Sequence, residues 1–362
     1  RAARSVLEPA PTLDTTFARL QLERFQRNYR RGANVPREDY EFYDVTAWSL
    51  PVTFGVEAYW TEDAGPVAGS LIARADETTA FGGVSGARPA RSAYLFTSER
   101  NGAPRLAYKL LTAGYRVAIS ERTLEAGGRR FPRGTYVVRV ARNDSTVHAR
   151  VDQLARESGV DVVGVSTAFA ESEQFGIGSE SMWDLQPPRI ALVGDEGVSQ
   201  TAYGATWFVL EQRYGLTFTP VSTRWPGSGD LSRFNVIIIP DGSSGTLNRV
   251  LGKEGADHVK AWVTAGGTLI TMGAASAWAA RENVSLTSAR IVGADAKPDS
   301  GAKADTAAAR RPITDELLAV TSPSAMSGQP VPLPGSHFDV ILDRTHWLTS
   351  GYEEPRATIL LD

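Results

Sequence analysis

The sequence has no cysteine among its 362 residues, and only four histidines and three methionines. Without a thiol there is no disulfide, no thiolate-bound zinc and no Cys nucleophile. Four histidines leave little for a hydrolytic zinc site, which needs about three His or carboxylate ligands and an open position for water. His148, His258, His337 and His346 form neither an H-x-x-E nor an H-E-x-x-H pattern. No apolar run approaches the ~20 residues that cross a bilayer. Charge of one sign is also lacking: 38 Lys and Arg stand against 41 Asp and Glu, a net −3. No basic field therefore points to nucleic acid as a partner. G-x-S-x-G, G-x-G-x-x-G and a Gly-Lys-Ser/Thr phosphate loop are all missing, which removes the sequence signatures of an α/β-hydrolase, a dinucleotide site and a P-loop.

What is present is ordinary globular composition, 42% hydrophobic and 22% charged, in a chain long enough for two or three domains. It begins at Arg1 with no signal-peptide pattern and ends in the β-rich run "RATILLD". The expectation is a piece of a longer polypeptide whose targeting signal lies elsewhere.

Along the chain, "LDTTFARLQLERFQRNYR" (13–30) predicts a helix with Asp14 as N-cap. The aromatic and β-branched stretch 40–60 suits strands, and 77–92 reads as a small-residue loop. An αβ series follows: strand "AYLFTSE", helix "APRLAYKLLTAG" with Pro104 in its first turn, strand "YRVAIS", a hairpin turning at Gly127-Gly128 or Pro132-Arg133-Gly134, a helix capped by Ser145, and strand "VDVVGVS". Residues 176–188, ending in Pro187-Pro188, read as a linker. The domain expectation is thus 1–186, a mixed αβ unit, and 187–362. In the second part short apolar strands at 189–194, 234–239 and 267–272 alternate with helices. That pattern predicts an α/β fold, with a doubly wound, mainly parallel sheet in which these three strands are neighbours. The Ala-, Asp- and Lys-rich stretch 293–312 lacks periodicity.

Ligands of such a sheet bind beyond the carboxyl ends of its strands. The residues that reach those ends are Asp195 and Glu196 in "VGDEGVSQTAYG", Asp241 and Ser243 in "PDGSSG", and Ser276 in "GGTLITMGAASAWAA". Several carboxylates facing one cleft would favour polyols, amines or cations over anions. Ser243 or Ser276 could serve as a nucleophile only with a nearby base. "GSHFDVILDRTHWLTSG" supplies His337, Asp339, Asp343 and His346 without a positioned nucleophile.

Two resemblances rest on these segments. "RIALVGD", "VIIIPDG", "KAWVTAGGTLITMG" and "DRTHWLTSG", in that order, resemble the flavodoxin-like class I glutamine amidotransferase fold over 189–362. Active members carry a Cys at the strand-to-helix elbow; here the turn reads Gly273-Ala274-Ala275-Ser276, so the resemblance implies the shape without that chemistry. Upstream, "VLEPAPTLDTTFARLQLERFQRNYRRG" and above all "YDVTAWSLP" (43–51) are similar to the region after the catalytic domain in large bacterial zinc carboxypeptidase-like proteins of the M14 type. This implies a non-catalytic region of a secreted or periplasmic metallopeptidase-like protein. Its partner would be the upstream peptidase domain of the same polypeptide, which would hold the zinc. No cofactor or metal is expected in this chain itself. A carbohydrate- or cell-wall-binding module, taking glycan or peptide in the catalytically dead crevice, is the alternative.

Overall fold

The computed structural model describes residues 82–98, 100–170, 175–289, 336–352 and 354–361, with 16, 19, 20, 23, 24, 27, 49–54, 58, 59 and 65. Two compact units emerge, one of residues 69–291 with 344–353, the other of 1–68, 292–343 and 354–362.

In the second of these units the described residues within 13–30 are helical, and Glu23 and Arg27 pair across one turn. Asp14 and the stretch 293–312 lie outside the described residues. The strand expectation for 40–60 fails where it can be read: Leu50–Phe54 is a short helix, α1. Pro51 suits a first turn, where its missing N–H costs nothing, and Thr53 donates both its backbone N–H and its hydroxyl to the Ser49 carbonyl, each at 2.9 Å.

The larger unit carries a mixed six-stranded sheet. Its strands are β1 (Gly83–Gly86), β2 (Ala93–Phe96), β3 (Ala118–Ser120), β6 (Tyr136–Arg139), β7 (Asp161–Val165) and β8 (Met182–Asp184), in the order β1-β7-β2-β6-β3-β8. Only β1 and β7 run parallel. Helices α2 (Ala103–Thr112) and α3 (Val147–Ser158) cover one face through Leu106, Leu110, Val151 and Leu154. Each such buried leucine contributes about 1.5–3 kcal/mol. The hairpin of β4 (Leu124–Ala126) and β5 (Arg129–Phe131), turning at Gly127-Gly128, packs on the other face.

Three sequence expectations change here. The cap of α3 is Thr146 rather than Ser145, with Asp144 accepting the Thr146 N–H at 2.9 Å. The small-residue loop contains β1, whose glycines permit close approach: a Cβ on Gly86 would meet the Gly164 carbonyl at 2.5 Å. The linker contains edge strand β8, clamped by Arg139 and Arg142, which both pair with Asp184 at 2.7 Å.

The second sheet is parallel throughout. Its strands are β9 (Ile190–Val193), β10 (Phe218–Val221), β11 (Val236–Ile239) and β12 (Thr268–Thr271), ordered β10-β9-β11-β12. The three expected neighbours are therefore adjacent. Alternation along the strands divides their side chains between two layers. Ala191, Val193, Ile237 and Ile239 pack with α6 (Ser244–Thr264) and α7 (Ala274–Ala279). Ile190, Leu192 and Ile238 pack under Tyr203 of α4 (Gln200–Trp207) and Leu210 of the π-helical turn that continues it, Phe208–Arg213. A four-residue helix α5 (Trp225–Ser228) lies against α6. Helix α6 is two helices joined at Gly252, whose φ of 62° only glycine adopts cheaply.

The final described strands, β13 (Ser336–Ile341) and β14 (Arg356–Leu361), pair antiparallel with each other as a separate two-stranded sheet. They do not extend the parallel sheet.

Candidate functional site

The chain leaves β9 and adds β10 on one side, then crosses to β11 on the other. Beyond the carboxyl ends of β9 and β11 such a reversal normally leaves a cleft. Here the two loops are stitched together. Ser199 N–H donates to the Asp241 carbonyl and Ser243 N–H to the Gly197 carbonyl, both at 2.8 Å, around a bridge between Val198 and Gly242. Gly242 is required by this approach, because a Cβ there would stand 2.0 Å from the Gly197 oxygen.

The five candidate residues follow β9, β11 and β12, and four of them hold the loops in shape. Asp241 Oδ1 accepts the Ala274 N–H at 2.6 Å and so caps α7. Ser243 caps α6, accepting the Thr246 N–H at 3.3 Å. Ser276 Oγ donates to the Thr271 carbonyl at 2.8 Å and lies 3.1 Å from the Thr271 hydroxyl. Glu196 pairs with Arg249 and, at 3.3 Å, with Arg224. The hydrogen bond and charge of Arg249 hold its carboxyl below the ordinary range, Arg224 adding less. Asp195 is exposed, with a φ of 143° rare outside glycine, and its carbonyl accepts the Val198 N–H at 3.0 Å. Both guanidiniums thus pair with the same carboxylate, that of Glu196.

The bend after β12 turns at Gly273, the first residue of the Gly273-Ala274-Ala275-Ser276 segment. Gly273, not Ala274 or Ser276, occupies the strained position, at φ 50° and ψ −124°. A Cβ on Gly273 would lie 2.2 Å from Asp241 Oδ1. The place a nucleophilic side chain would take is filled by the carboxylate that caps the next helix. Behind the bend, Trp278 is fully buried. The sequence signal was the Gly itself: at an elbow a glycine relaxes the strain that a reactive side chain must bear.

No family model, curated protein or solved structure matches this chain.

The histidines lie elsewhere. His148 Nδ1 is 2.8 Å from the hydroxyl of buried Tyr94, and His337 Nε2 is 3.2 Å from the Thr53 hydroxyl. "RTHWLTSG" (344–351) runs beside the turn between β5 and β6. There Arg133 donates to the Arg344 carbonyl and, at 2.6 Å, to that of His346. Among the described residues no group of three His, Asp or Glu stands where it could hold a metal ion, and no helix is long and apolar enough to cross a membrane.

Proposed function

We propose that this chain is the non-catalytic region that follows the zinc-binding domain of a secreted M14-type carboxypeptidase-like protein. Its parallel-sheet part is read as a doubly wound, flavodoxin-like domain of the amidotransferase type, kept as a scaffold that supports or targets the peptidase. The observation that carries this reading is the bend at Gly273, which has the strand-to-helix form of a nucleophile elbow with Asp241 in the side-chain position. The strand order and the "YDVTAWSLP" segment support it. Zinc and the catalytic carboxylate belong, on this reading, to the domain encoded upstream.

The test begins with the coding sequence, which should carry an H-x-x-E pattern ahead of residue 1. The peptidase domain is then expressed with and without this chain. Its thermal midpoint or its turnover of a C-terminal peptide substrate should rise when the chain is present, and glutamine hydrolysis should stay absent in both. An upstream sequence without zinc ligands, or a peptidase indifferent to this chain, would sink the reading.

A further inference from the structure

A cleft of about 460 Å³ lies between α4 and edge strand β10, lined by Tyr203, Trp207, Glu211, Thr217, Phe218 and Pro220. Three of the six residues are aromatic, one is a carboxylate, and none is basic. Tyr203, Trp207 and Glu211 stand four residues apart. In an α-helix each such step overshoots a full turn by about 40°, so three in a row would wind off one face. The chain turns π-helical at Phe208, and Tyr214 N–H bonds back five residues to the Val209 carbonyl at 3.2 Å. In that wider turn four residues fall short of a full rotation, which reverses the drift. Trp207 Nε1 donates to Glu211 Oε2 at 2.5 Å, while Glu211 Oε1 receives only a 3.5 Å contact from Gln212. The opposite wall is fixed: Thr217 bonds the Tyr108 hydroxyl through both its N–H, at 3.2 Å, and its own hydroxyl, at 3.1 Å.

We propose that this cleft binds organic cations, with an alkylated ammonium group held among Tyr203, Trp207 and Phe218 and balanced by Glu211. Aromatic rings attract such cations through their quadrupoles, and a carboxylate with a spare oxygen supplies the counter-charge. A sugar needs several directed partners for its hydroxyls. Here the Thr217 hydroxyl is already engaged, and among the described lining residues Glu211 alone is charged. The inference rests on this surface alone and does not depend on the carboxypeptidase reading.

The full chain is titrated calorimetrically with choline, with its neutral isostere 3,3-dimethyl-1-butanol, and with cellobiose. Choline should bind at one site per chain, about tenfold more tightly than the isostere. Glu211→Gln should weaken choline by about tenfold and leave the isostere unchanged. Trp207→Ala should abolish binding, and Trp207→Phe, which keeps a ring, should retain part of it, so a misfolded alanine variant does not decide the matter. Equal binding of the isostere, preference for cellobiose, or no saturable heat with choline would overturn the proposal.

Discussion

Gly273 and Asp241 occupy one another's space, and that makes their energetics inseparable. In Gly273→Ala the new methyl must sit at a positive φ, costing about 1–2 kcal/mol, and must displace the carboxylate that caps α7, worth about another 1 kcal/mol. The expected loss is about 2–3 kcal/mol in urea unfolding. In an Asp241→Ala background the same change should cost about 1 kcal/mol less, because no carboxylate remains to be moved. Equal costs in the two backgrounds would mean that the contact is unimportant. Glu196 makes a different prediction. Its folded pKa lies below the unfolded value of 4.5, so its contribution is complete above about pH 4.5. It fades as the pH falls through the folded pKa, where the carboxylate takes up a proton. Glu196→Gln should therefore lower the thermal midpoint at pH 7, and the gap to the wild type should close in acid. Added salt should also narrow it, since the group is exposed. A gap independent of pH would assign the effect to packing.

At the scale of elements, the loops after β9 and β11 are held by main chain. Gly242→Ala would push a methyl into the Gly197 carbonyl, and backbone cannot step aside as a flexible side chain can. The expected cost is about 1–3 kcal/mol. Exchange of the Ser199 and Ser243 amides should quicken well before that of β9 and β11. Protection retained at both amides would refute the clasp. The central parallel strands β9 and β11 were legible in the sequence because strands buried on both faces are continuous apolar runs, here "IALV" and "VIII". β1 and β8 were not. Glycine in β1 serves close packing, which resembles a loop by composition. β8 exposes Trp183 and is held by arginines distant in sequence. The π turn left no trace either, since no residue type encodes it. The candidate residues follow β9, β11 and β12, but their hydrogen bonds depend on which loop meets which, and sequence spacing does not contain that.

For the larger unit as a whole, one link recurs: Tyr108 on α2, beside the six-stranded sheet, bonds Thr217, the residue just before β10. Tyr108→Phe removes both bonds and should cost about 1 kcal/mol. If the link couples the two sheets, the denaturant transition should also broaden, because the sheets then unfold less concertedly. A simple shift of midpoint with unchanged slope would limit Tyr108 to a local role. Metal content is a second property of the whole chain. Purified protein should carry no stoichiometric zinc by elemental analysis, because a site of about three ligands finds no matching motif in the sequence. One tightly bound zinc per chain would overturn that expectation.

The fit between Gly273 and Asp241 also bears on what this protein can become. A nucleophile at the bend requires a side chain at position 273, and that residue collides with Asp241 unless Asp241 has already shrunk. Shrinking Asp241 first strips the helix of its cap and yields no chemistry in return. Either order passes through a less stable protein with nothing for selection to favour. The two residues therefore act as a lock: a reactive side chain at this bend takes two substitutions, and neither is useful alone.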